Sequence, residues 1–125
     1  MIKTMLAGSL FILSLASPVS AAEVAAATPK AYLIAEIAVH DAATYEGYKS
    51  AVAPLIAQFG GRYLTRGGAS SAIEGEAVKG RVVVLEFPSA AAARAFLRAD
   101  AYRPVLAIRH KSATSRVIMV EGVVP

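Results

Sequence analysis

Four of the five tyrosines and two of the arginines set the chemical possibilities of this chain. Tyr45, Tyr48, Tyr63 and Tyr102 supply phenols that could line a pocket between helices and a sheet. Arg66 and Arg109 supply guanidiniums able to anchor an anionic group there. Glu86 joins Tyr45, Tyr48, Arg66, Tyr102 and Arg109 in the expected ligand-binding set, and His40 and Tyr48 are the candidate acid–base groups. The same tyrosines also suit a plain core role, rings inside and hydroxyls at the rim. His40 and His110, each beside a helix end, equally suit capping or surface positions.

A second cluster is ionic. Glu36 and Glu86 lie in apolar runs that read as central strands, where a carboxylate needs a cation because an unpaired buried charge costs several kcal/mol. Arg62, Arg66 and Arg116 are the candidate partners, and with the two glutamates they form the expected interface set. Such a network either fixes the register of two packed sheets or makes a polar patch that takes a small acidic or carbonyl compound.

Other chemistries are excluded or unsupported. With 0 cysteines there is no disulfide, thiolate nucleophile or Cys-ligated metal. The two histidines never meet an acid at metal-ligand spacing, so no metal site and no cofactor are expected. No serine has the Gly-flanked spacing of a nucleophile elbow, and RGGASS is too loose for a phosphate loop. The net charge is +4, of which Lys3 lies in the leader. The remaining basic residues are scattered among acids, so no nucleic-acid partner is expected.

Residues 1–21 read as a cleaved signal peptide: Lys3, an apolar run from Met5 to Ala16, Pro18, then small residues before Ala22. The run is about a dozen residues, short of the ~20 that span a bilayer, so no stable membrane insertion is expected and the location is periplasmic or secreted. Residues 22–30 form a flexible small-residue spacer.

The domain occupies residues 31–122. Ala31–Val39 reads as a central strand, and Asp41 caps a helix to about Phe59 whose stripe runs Tyr45, Tyr48, Val52, Leu55, Ile56, Phe59. Pro54 predicts a kink. Gly60 and Gly61 end that helix, Arg62 to Arg66 forms a half-exposed strand, and Ser70 to Glu76 is a short strand or loop. Arg81 to Phe87 is the strongest strand; Pro88-Ser89 opens an Ala-rich helix. A separate short helix carries Tyr102, Val105, Leu106 and Arg109, and Ser115 to Val120 closes the sheet. Alternation puts Leu33, Ala35, Ile37, Val39, Val83, Leu85 and Phe87 under the helices, and Ile34, Glu36, Val82, Val84 and Glu86 on the other face.

The order predicts an α+β, ferredoxin-like βαββαβ fold: a four-stranded antiparallel sheet with its first and third strands central and the helices on one face. The 56% hydrophobic content, against 18% charge, favours self-association. The blocks GGRYLTRGG and GRVVVLEFPS, the Ala-rich helix, Asp100-Ala101-Tyr102 and the terminal VIMVEG resemble the DUF1330 family. That resemblance implies the dimeric α+β barrel, in which two copies pair their open sheet faces, and leaves the role open. The expectation is an exported homodimer that binds a small amphipathic or anionic molecule. The alternative is a cofactor-independent enzyme, mono-oxygenase- or isomerase-like, acting on a small aromatic or lactone compound.

Overall fold

Strand β1 (Ala31–Val39) buries every second residue from Ala31 to Ile37, the period-2 signature of a strand with one face under helices. The structure is a computed structural model that describes residues 2–5, 7–17 and 27–124. β1 is followed by α1 (Ala42–Gln58), β2 (Arg62–Arg66), β3 (Arg81–Phe87), α2 (Ala90–Arg98), α3 (Tyr102–Ser112) and β4 (Ala113–Glu121). The sheet order is β2-β3-β1-β4, with every neighbouring pair antiparallel. This is a ferredoxin-like βαββαβ arrangement whose second helical segment is divided into α2 and α3.

Local chemistry sets the boundaries. Asp41 caps α1: Oδ1 accepts from the Thr44 backbone N–H at 3.1 Å and Oδ2 from the Thr44 hydroxyl at 2.6 Å. α1 continues through Pro54, which is solvent-exposed beside exposed Ser50, the residue whose carbonyl loses its helical donor. Gly60 then turns the chain with φ of 80°, a conformation that costs glycine little. Ser89 caps α2 through its hydroxyl, which accepts from Ala92 N–H at 3.1 Å. Pro104 falls in the first turn of α3, where a missing N–H is harmless. Residues 70–76 form no strand, and β4 begins two residues earlier than its apolar run suggests.

The core lies between the sheet and the helices. Phe87 is fully buried and stacks on Phe96 of α2 with ring centroids 5.5 Å apart, while Phe96 meets Tyr102 of α3 at 4.5 Å. Burying each such ring contributes about 2–3 kcal/mol before entropy is counted. Val39, expected on this face, is 36% exposed because β1 ends there, beyond the covering helices.

The opposite face has no helix over it. Tyr32, Ile34 and Glu36 of β1, Val82, Val84 and Glu86 of β3, and Arg116, Ile118 and Val120 of β4 occupy it by register. The two carboxylates are not neighbours on it. Glu86 stands opposite Tyr32 and Glu36 opposite Val82, which separates them by four positions, about 13 Å along the sheet. Glu86 is buried, and its Oε1 accepts from Arg62 Nε at 2.8 Å and Lys30 Nζ at 3.2 Å. Arg66 and Arg116 take no part in that pairing. Arg116 faces Glu36 in register, yet neither is ion-paired among the described residues.

Lys30, at the end of the expected spacer, is docked to the domain, since its carbonyl also accepts from Gly122 N–H at 2.7 Å. Residues 2–5 and 7–17 contain no helix or strand, and Leu10, Phe11 and Leu15 are almost wholly exposed. The expected cleavage position, around Ala21 and Ala22, lies outside the described residues, as does the spacer up to residue 26.

The hydrogen bond from Arg62, followed by burial acting the other way and the bond from Lys30, holds the Glu86 carboxyl below its usual range. A depressed carboxyl favours the fold above the unfolded value, about 4.5, and loses that contribution as pH falls through the folded value. Thermal melts of Glu86→Gln from about pH 7 down to about pH 3 should therefore start from a lower midpoint and fall less steeply than the parent. Parallel curves would contradict the assignment.

Candidate functional site

Between α1, α3 and the central strands lies a cavity of ≈ 170 Å3. Leu33, Ile37, Val83 and Leu85 form its aliphatic floor, and Val52 and Ile56 of α1 close one side. Arg109 of α3 enters this apolar space and is only 9% exposed. Its Nη1 donates to the Tyr48 hydroxyl at 3.2 Å and to the Tyr102 hydroxyl at 3.1 Å.

Helical spacing brings these groups together. Tyr102 and Arg109 are seven residues apart on α3, two turns along one face, and Tyr48 belongs to the buried stripe of α1. The Ser112 carbonyl at the end of α3 accepts from the His40 and Asp41 N–H groups at 2.9 and 3.1 Å, so the finish of α3 is fastened to the start of α1.

The hydrogen-bonding capacity of Arg109 is only partly used. Nη1 has two hydrogens, both committed to phenols. Nε is buried without an acceptor, Nη2 makes no hydrogen bond among the described residues, and no carboxylate there comes within ion-pair distance. The guanidinium also lies 5.6 Å from the Tyr48 ring centroid, a partial compensation. A buried cation with an unpaired N–H and no counter-ion among the described residues is electrostatically uncompensated, and an acceptor with negative charge is its chemical complement.

More cations ring the mouth. Arg66 lies over the Tyr63 ring at 4.4 Å and Arg81 over the Tyr45 ring at 5.4 Å, and Arg81 Nη2 donates to the Arg66 carbonyl at 3.0 Å. Lys49 and His110 also line the opening. A bulge in β2 puts Arg66 there. Tyr63 pairs with Leu85, but Thr65 pairs with Val84 and Arg66 with Val83, so Leu64 is the extra residue. Simple alternation would have sent Arg66 to the open face; the bulge returns it to the pocket side.

The sequence-predicted residues divide accordingly. Tyr45, Tyr48, Tyr63, Tyr102, Arg66 and Arg109 converge on the cavity. Glu86 lies on the opposite sheet face, because its neighbours Leu85 and Phe87 point to the helices. His40 is exposed at the β1–α1 junction and does not line the cavity; His110 does. Among the described residues no three His, Asp or Glu side chains gather as a metal would require.

Burial pushes the Tyr102 phenol up to about 12 and raises Tyr45 and Tyr63 as well. Near neutral pH these three are uncharged donors rather than bases. Tyr48 and Tyr102 both accept from Arg109, so even if one phenol also donates to the other, an O–H remains for a ligand.

The family model for DUF1330, a domain of unknown function, matches residues 30–123. The chain belongs to the DUF1330 family. No curated protein matches it. Among solved structures it is similar to a protein of unknown function from Rhodopseudomonas palustris, at 21% identity and a TM-score of 0.63, over 78% of this chain and 85% of that one. It is also similar to SnoaB, a cofactor-independent oxygenase from Streptomyces nogalater, at 17% identity and 0.52, over 77% and 95%. A hypothetical Arabidopsis thaliana protein aligns at 15% identity and 0.55, over 78% and 91%. At these identities the likeness concerns the fold.

Three contributors to this DUF1330 domain escaped the reading of the sequence, and two had a visible signal. Arg81 continues the series Val83, Leu85, Phe87 two residues upstream, so alternation already placed it under the helices. Lys49 is one turn beyond Tyr45 on α1. Lys30 precedes β1 by one residue, on the side of the open face, where only the register to β3 reveals Glu86 as its partner.

A phenol raised above its usual 10.0 favours the fold below that pH, and the contribution is lost as pH rises toward about 12. Tyr102→Phe removes that titration. Its stability should fall less steeply above about pH 10, by up to ~1.4 kcal/mol per pH unit, as read from denaturant melts across the alkaline limb. An unchanged slope would show that Tyr102 ionises like a solvated phenol.

Proposed function

We propose that this protein is an exported homodimer that holds a small amphipathic anion in the pocket around Arg109. One observation carries the reading: a guanidinium nine-tenths buried, bonded among the described residues to two phenol hydroxyls, with its Nε–H unpaired. An anionic ligand supplies the missing counter-charge, and the aliphatic floor accommodates an apolar body. Arg66 and Arg81 at the mouth favour the approach of negative charge, while Lys49 beside them is paired with Glu46 at 2.6 Å.

Dimerisation is supported by the uncovered sheet face. Ile118 and Val120 are 41% and 45% exposed there, beside Ile34, Val82 and Val84, and a second copy of the same face is the self-complementary cover that a two-fold axis provides. Glu36 and Arg116 stand on this face without an ion pair among the described residues, available to a second copy. Export is supported by the sequence pattern of the leader, and among its described residues Ile2, Met5, Leu10, Phe11 and Leu15 are exposed.

A catalytic reading, suggested by the fold shared with SnoaB, would have to rest on His110, the histidine that lines the cavity, rather than on the phenols raised by burial. Proton abstraction near neutral pH needs a group titrating there, and burial moves Tyr45, Tyr63 and Tyr102 away from that range.

Thermal melts with benzoate, hexanoate, phenyl phosphate and neutral benzyl alcohol test the pocket. One or more anions should raise the midpoint by several degrees at a concentration of about 100 Kd, equivalent to ~2.7 kcal/mol, and benzyl alcohol should not. Arg109→Met should lose the response. An equal rise with benzyl alcohol, or an undiminished response in the variant, overturns the reading. For the assembly, sedimentation equilibrium should give twice the chain mass, and Val84→Arg should give single chains; a monomeric parent at high concentration overturns the dimer.

A further inference from the structure

We infer that the ligand class is a single-ring aromatic monocarboxylate, held by its carboxylate on the Nε/Nη2 edge of Arg109 with its ring between the aromatic walls. This rests on the anion-pocket reading and narrows it by geometry, charge and size.

The geometry concerns which donors remain. Nη1 is fully used by Tyr48 and Tyr102, so the three unused N–H groups are one on Nε and two on Nη2. Nε–H and the nearer Nη2–H run parallel, the side-on fork that two oxygens of a planar carboxylate match. The Tyr48 and Tyr102 hydroxyls sit on the neighbouring Nη1 of the same guanidinium. A tetrahedral head carries a third oxygen that the fork does not match, and in a cavity lined largely by aliphatic and aromatic side chains a buried oxygen without a donor is costly.

Charge gives the same answer. Arg109 is the one buried guanidinium of the pocket, whereas Arg66 is exposed and Arg81 half-buried at the mouth. One buried cation balances one negative charge. A carboxylate brings a single charge at neutral pH, while a phosphate monoester brings about −1.5 to −2.

Size and wall chemistry select the body. A cavity of about 150 Å3 is enough for benzene, so ≈ 170 Å3 matches a single ring. Tyr45 and Tyr48 pack with centroids 5.2 Å apart, and Phe96 and Tyr102 at 4.5 Å, and all four rings line the cavity, so a ligand ring meets aromatic neighbours there.

Isothermal titration of the purified protein with benzoate, cyclohexanecarboxylate, hexanoate, benzenesulfonate and phenyl phosphate tests the assignment. Benzoate should bind at least ~10-fold more tightly than each of the others, a difference of about 1.4 kcal/mol. Arg109→Lys, which keeps the charge and loses the fork, should weaken benzoate by ~10-fold or more. If another member of the panel binds as well as benzoate and Arg109→Met abolishes both, the anion pocket stands and the carboxylate-arene assignment falls. If no anion binds, or Arg109→Met leaves binding intact, both fall. Should Arg109→Met not fold, a crystal of the parent with 4-iodobenzoate decides: a carboxylate oxygen within about 3 Å of Arg109 supports the assignment, and iodine density elsewhere overturns it.

Discussion

A guanidinium confined among phenols and aliphatic side chains, without a carboxylate, costs free energy that any apolar residue of similar length would spare. Arg109 is in that position, and much of the helical layer is arranged about it. Two turns of α3 separate it from Tyr102, one residue of the α1 stripe brings Tyr48 to its other side, and the Ser112 carbonyl ties the two helices at the end nearest the sheet. The phenols soften the penalty by accepting from Nη1, yet they bring no charge. A hydrogen bond between a charged donor and an uncharged acceptor is worth about 1.5–3 kcal/mol net, against several for an uncompensated buried ion.

The sheet separates two kinds of electrostatics by the parity of its strands. On the helix side lies a cation without an anion. On the other side Glu86 is satisfied twice, by Arg62 and Lys30, and the remaining positions are mostly apolar. β2 alone breaks the parity rule: its bulge at Leu64 leaves Arg62 on the face of Glu86 and turns Arg66 to the pocket. One extra residue thus lets a five-residue strand serve both faces.

Much of this was legible in the sequence because strands and helices have different periods. The burial of Leu33, Ala35, Ile37, Val83, Leu85 and Phe87, the central placement of β1 and β3, the Asp41 cap and the split before α3 all follow from pattern and capping chemistry. The pocket tyrosines and Arg109 were visible for the same reason, as members of helical stripes. What period alone could not supply was register. Only pairing shows that Glu36 and Glu86 lie at opposite ends of the β1–β3 ladder, and only a slip in pairing shows where Arg66 points. His40 misled because a histidine at a strand–helix junction has the right chemistry for a site, and nothing local says that the junction lies outside the cavity.

Pocket and open face are chemically independent but mechanically joined. Leu33 and Leu85 of the cavity floor alternate with Ile34, Val84 and Glu86 of the uncovered face along the same two strands, and cross-strand bonds hold all of them in one ladder. In the proposed dimer, covering the outer positions restrains the backbone that carries the floor, so less ordering is left for ligand binding to accomplish. The anion then supplies the one thing neither the sheet nor a second copy provides, a charge opposite to that of Arg109. On this account the unliganded fold is complete in its packing and incomplete in its electrostatics, and that difference is what the proposed anion would remove.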